Sequence, residues 1–174
     1  MKSHFELMAD YNCWMNERMF EAIAELSDIE LHQPRGAFFS SIIGSLNHIL
    51  VADVIWLKRF STSSHQFKTL HPLLDMTIPS KLDDLLYDEF ATLRAARVAM
   101  DEIIINFVEE VTDEVLATEL HYQNTKGKTF ARKLSLLLLH LFNHQTHHRG
   151  QVTTLLNQID IDMGETDLLA RIPL

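Results

Sequence analysis

Cysteine occurs once in this chain, at Cys13, so no intrachain disulfide can form. That usage fits a reducing compartment, and the cytoplasm is the expected location. Glycine and proline are scarce, five and four residues in 174. With 47% hydrophobic residues, the scarcity points to a globular, helical chain of a length suited to one buried core. A single domain over 1–174 is therefore expected. No purely apolar run exceeds that of LLLL at 136–139, far short of a membrane span. The stretch MKSHFELMADYNCW carries Glu6 and Asp10 and no apolar h-region, so a signal peptide is not expected. Basic excess is missing too. The net charge is −9, no basic stripe stands out, and nucleic acid and anionic membranes are disfavoured as partners. There is no Gly-rich phosphate loop, no GxSxG and no motif partner for Cys13, which reads as an inert helical thiol.

What is present is helical periodicity. Apolar residues from Leu7 to Leu26 follow a helical stripe over about 3–26, with Ser3 and Glu6 at capping-box spacing. SDIE at 27–30 has the same spacing and predicts a short extra turn. A second helix is expected over about 41–60, capped near Ser40 and Ser41. A polar connection, 61–79, follows. A third helix is expected from Ser80 to about Val111. After a connection at 112–128, whose HYQNTKGK carries hairpin or turn chemistry, a fourth runs over about 130–158. The pattern predicts an all-α four-helix bundle, and either long connection could cross over along it. Trp14 and Trp56 read as core. LSLLLLHLF is apolar nearly all round, which suits a central helix or a homodimer interface.

HLFNHQTHHRGQ, 140–151, holds four of the ten histidines. On a helical wheel centred on His140, the leucines and valine of this helix define a core direction near about 110°. His148 falls at about 80° and His144 at about 40°, whereas His140 and His147 lie toward the flank. Asn143 and Arg149 point elsewhere. His144 and His148 are one turn apart, a spacing that lets two imidazoles share one metal ion. A third ligand is needed, and His48 in GSLNHILVADVIW is the candidate. Gly44, Ser45 and Ala52 around it suggest open volume for an exchangeable ligand. Against this stands the plain alternative, a hydrogen-bonded core histidine. Two or three unpaired rings in a core are expensive, which favours the metal. Asp53 can pair with Arg149 as a packing contact. His4, His32, His65, His71 and His121 fall near helix ends or in connections.

YNCWMNERMF at 11–20, FFSSIIGSLNHILVADVIWLKRF at 38–60 and HLFNHQTHHRGQVTTLL at 140–156 resemble the DinB/YfiT-like family of metal-dependent helical proteins, which is distinct from the DNA polymerase sharing the DinB name. The resemblance implies a bundle with a long crossover, often homodimeric. It also implies a divalent metal, zinc or nickel, held by one helix-two histidine and an HxxxH pair on the last long helix, here His48, His144 and His148. Some relatives are transferases or isomerases that use low-molecular-weight thiols. The functional expectations are a metal-dependent hydrolase or thiol transferase or, alternatively, a non-catalytic stress-linked binding protein with a structural or sensory metal.

Overall fold

Helix α1, Lys2–Ala22, buries Phe5, Ala9, Asn12, Met15, Asn16 and Met19, a stripe at intervals of three and four. The computed structural model describes residues 1–62, 65, 67–124 and 126–173; Ser63, Ser64 and Gln66 of the expected polar connection and Thr125 of the expected turn lie outside these. The Ser3–Glu6 cap is not used. The helix starts one residue earlier, where the Lys2 N–H donates to the Asp113 carboxylate at 2.9 Å. SDIE does open a short helix, α2 (Asp28–His32), through a complete Ser27–Glu30 capping box.

The Ser41 hydroxyl accepts from the Gly44 N–H and caps α3, Ile42–Ser61, as expected. This helix is buried on nearly every side. The connection after it contains a short 3-10 segment, Lys68–Leu73, whose first amides donate to the Glu110 carboxylate. Helix α4 spans Phe90–Glu110, not 80–111. Asp84 accepts from the amides of Ser80 and Lys81 in a local turn. Asn47 of α3 then clamps Tyr87 by two hydrogen bonds, 2.9 and 3.0 Å. Those tertiary bonds take the backbone groups that a helix through 80–89 would have used internally.

The hairpin or turn chemistry expected at 121–128 forms an antiparallel hairpin, β1 (Glu119–Gln123) with β2 (Thr129–Lys133), in register Leu120↔Arg132 and Tyr122↔Phe130, so the fold is mostly helical with a small two-stranded sheet. The hairpin follows a one-turn helix, α5 (Asp113–Leu116), and runs straight into α6, Leu134–Asn157, so the fourth long helix begins four residues later than expected. The chain is mostly helical. Helix α1 packs on α4 and α6, and α3 packs on α6 and α4. The C-terminal segment folds back on α1, where Arg18 donates to the Met163 carbonyl and Arg171 pairs with Asp10.

The four long helices meet in a buried polar network. Asn12 and Asn16 of α1 donate to Asp101 of α4 at 2.8 and 2.9 Å. Arg97, one turn before Asp101, bridges it to Asp53 of α3. Gln145 of α6 donates to the other Asp53 oxygen at 2.8 Å, and Arg149 donates to Asn12. The expected Asp53–Arg149 pair is thus replaced by Asp53–Arg97 and Arg149–Asn12. Arg149, which the wheel pointed away from the core, is buried.

Candidate metal centre

Helices α3 and α6 pack side by side, and their contact brings His48, His144 and His148 together. The His48 Nε2 lies 3.2 Å from the Nε2 of His144 and 3.2 Å from that of His148. The outward-facing nitrogens fix the tautomers. His48 Nδ1 is 2.8 Å from the Leu82 carbonyl, which can only accept, so Nδ1 carries the hydrogen and Nε2 presents a lone pair. His148 Nδ1 is 2.8 Å from the Gln151 side-chain oxygen, with the same consequence. Two lone pairs therefore face each other at 3.2 Å, a repulsive contact that a cation between them would relieve. The separation matches the edge of about 3.3 Å expected between ligands on a tetrahedral zinc with bonds of about 2.0–2.1 Å. The Nδ1 of His144 is buried and, among the described residues, has no hydrogen-bond partner. The donor set fits a divalent ion, and the three histidines could hold one.

The surroundings favour neutral rings. Burial lowers the pKa of all three, and that of His144 falls to about 3 under burial and the neighbouring His148 and His48. Phe39 stacks on His48, centroids 3.6 Å apart, and meets His148 edge-on at 5.6 Å. The expectation of open volume at Gly44 is corrected here. A Cβ at Gly44 would sit 2.2 Å from the Phe39 carbonyl oxygen, so this glycine admits the loop that carries Phe39. Ser40, next in that loop, adopts a positive φ of 67°, a conformation unusual for a residue with a side chain.

His140 and His147 stand outside the cluster. The His140 ring is 6.0 Å from that of His144 and packs on Trp56 at 5.1 Å. His147 meets the Gln151 amide nitrogen at 3.2 Å, so Gln151 links it to His148. Trp14 and Trp56 are partly buried and pack against the core, as expected: Trp14 meets Tyr11, and Trp56 meets Phe60 and Tyr122. The Cys13 thiol is pushed up to about 12, chiefly by burial and the nearby Asp101, as suits an inert thiol. Sequence reasoning missed Leu82, Phe39 and Gln151. Only Gln151, one turn after His147 on the same helix, had a spacing that could have revealed it.

Fold and site together define a mostly helical protein with a three-histidine cluster competent to hold a metal. The chain belongs to the DinB family, whose model matches residues 1–172. It is 30% identical over 160 residues to Protein DinB of Bacillus subtilis (strain 168), covering 91% of this chain and 87% of that protein. No solved structure matches. Among the described residues, no helix is long and apolar enough to cross a membrane.

Proposed function

We propose that this DinB-family protein binds one divalent metal ion, zinc or nickel, through His48, His144 and His148, with at least one coordination position left for water or a thiol. The observation that carries the reading is the pair of opposed Nε2 lone pairs, each fixed by an acceptor on the far side of its ring. Such an ion supplies Lewis acidity, lowering the pKa of a bound water or thiol. The chain's own groups do the rest: Leu82 and Gln151 orient two of the rings, and Phe39 shields His48 from water. The reading extends to a metal-dependent hydrolase or a transferase using a low-molecular-weight thiol.

The same proposal takes 1–174 as one domain, a four-helix bundle of α1, α3, α4 and α6 with the segment between α3 and α4 as its crossover, located in the cytoplasm. It pairs two copies through the outer face of α6, where Leu136 and Leu139 are each 56% exposed.

The test is metal content per chain after gentle dialysis. Wild type offered zinc or nickel should retain about one ion, and His48→Ala, His144→Ala and His148→Ala should each lose it. His147→Ala and His140→Ala should keep it. Loss in His147→Ala with retention in His148→Ala, or no retention by wild type, would overturn the assignment.

A further inference from the structure

A guanidinium half removed from water needs a counter-charge or a well-shaped substitute. Arg97 meets Asp53 and Asp101, and Arg171 meets Asp10. Arg59, at the end of α3, differs. It is half-buried, burial lowers its pKa, and among the described residues it forms no ion pair with a carboxylate. Its guanidinium lies instead over two rings, 4.6 Å from the centre of Trp56 and 5.3 Å from that of Tyr122.

Beside Trp56 and Tyr122 opens a cleft of about 360 Å³, also lined by Arg132, Leu137, His140 and Leu136, the last of which belongs as well to the α6 face proposed to pair two copies, so that a second copy would border the cleft. The register Leu120↔Arg132 and Tyr122↔Phe130 puts Tyr122 and Arg132 on one face of the hairpin. Arg132 likewise makes no ion pair among the described residues, and it leans on Phe130 together with Lys128, at 5.6 and 5.3 Å. In a chain of net charge −9, Arg132 thus lines this cleft, while Arg59 lies over Trp56 and Tyr122 and lines the adjoining hollow, which shares Tyr122 with it. The sequence shows no basic stripe because Arg59 and Arg132 come from elements far apart in the chain. His140, which also lines the cleft, packs on Trp56, and its ring lies 6.0 Å from that of His144.

We infer that this cleft is a binding subsite for a small organic anion with a flat, apolar body, of the class of aryl or unsaturated carboxylates. The carboxylate meets Arg132 in charge-assisted hydrogen bonds, Arg59 adds its positive charge from its place over Trp56 and Tyr122, the body lies against those two rings, and the far end points past His140 toward the three-histidine cluster. Inorganic phosphate would use the cations and leave the rings idle. A neutral aryl compound would use the rings and leave both guanidiniums without a counter-charge. The inference rests on the proposed metal site only for what the far end meets; anion binding itself needs no metal.

Calorimetric titration of the full chain, metal-free and metal-loaded, tests this with three probes: trans-cinnamate, cinnamyl alcohol and inorganic phosphate. Cinnamate should bind the metal-free protein at one site per chain, at least about tenfold tighter than either other probe, and more weakly as salt is added. Arg59→Gln and Arg132→Gln should each weaken cinnamate at least about fivefold while leaving metal content and the helical spectrum unchanged. Arg132 is exposed, so its variant stays informative if Arg59→Gln disturbs the fold. Equal affinity for cinnamate and its alcohol, or for cinnamate and phosphate, overturns the inference. So does cinnamate binding that ignores both substitutions, or no binding below about 10 mM. A wild type that binds cinnamate but retains no metal would sink the metal reading and leave the subsite standing.

Discussion

His148 Nδ1 donates to Gln151 and His48 Nδ1 to the Leu82 carbonyl, and those two bonds decide which nitrogens face the centre of the cluster. Partners of this kind typically change metal affinity about 10–100-fold. Gln151→Ala should therefore weaken zinc by about that factor, and Gln151→Glu, which keeps an acceptor, should restore it. Competition with a chelating dye measures both; equal affinities for wild type and Gln151→Ala would remove Gln151 from the site. At this scale the sequence was informative about direction and silent about contacts. Apolar neighbours identified the inward arc of α6 and hence His144 and His148. The same wheel puts Gln145 at about 140°, within the core arc, where it is buried, and Arg149 at about 180°, outside it. Arg149 is buried as well because α1 and α3 both pack on α6 and widen its buried face beyond the apolar stripe.

Among the elements, the loop before α3 and the strap before α4 hold most of what periodicity could not show. Gly44 lies inside α3, where Gly→Ala ordinarily stabilises a helix by about 1 kcal/mol. Here the added Cβ meets the Phe39 carbonyl oxygen at 2.2 Å, so Gly44→Ala should destabilise by about 1–3 kcal/mol and shift Phe39 off His48. Urea unfolding decides the sign. The strap beginning at Ser80 read as helix because its leucines have helical spacing, but Asp84 closes a turn and Asn47 captures Tyr87. Its end is tied to α2 by His32, whose Nδ1 faces the Asp28 carbonyl at 2.8 Å and whose Nε2 faces the Asp88 carboxylate at 3.0 Å. Both partners accept, which suits the doubly protonated ring, and these hydrogen bonds raise the His32 pKa above 6.5. A raised value means that the folded state holds the proton more tightly. The stabilisation is complete below the unfolded value and disappears as pH rises through the folded one. The melting temperature of wild type relative to His32→Gln should thus decline on alkalinisation above about pH 6.5; a constant difference would contradict the tie.

For the whole molecule, two features act beyond any one helix. The first is the outer face of α6. If Leu136 and Leu139 lie in a dimer contact, Leu136→Lys with Leu139→Lys should convert a dimer to a monomer in light scattering while keeping the helical spectrum. A wild type already monomeric at tens of micromolar would refute the pairing. The second is the polar network joining α1, α3, α4 and α6. The sequence offered Asp53 and Arg149 as charges that could meet, but a wheel reports direction around one axis and not which helix lies opposite. Helix α4 lies across from Asp53 and supplies Arg97.

Arg97 is the cation on which that network turns. Asp53 and Asp101 are buried against it, with the guanidinium of Arg149 engaged by Asn12. Arg97→Leu matches the apolar surroundings but leaves two carboxyls in the core without their partner. Stranding a buried charge in this way costs about 3–5 kcal/mol, more than the leucine recovers. The loss should depend on pH with a definite sign. Burial already pushes Asp101 up to about 6 in the intact network, against the pull of Arg97, and it raises Asp53 as well. Removing the cation raises both further. An acid whose folded value lies above its unfolded one keeps its proton in the folded state while the unfolded chain gives it up. The folded form then loses stability as pH rises from the unfolded value, about 4, toward the folded one. The deficit of Arg97→Leu relative to wild type should consequently shrink between about pH 7 and pH 5, as the stranded carboxyls are neutralised. Replacing Asp53 and Asp101 by leucine as well should recover most of the lost stability at neutral pH. Urea unfolding of the three proteins at both pH values measures this, and a deficit that is constant or grows on acidification would mean that Arg97 acts through packing rather than charge.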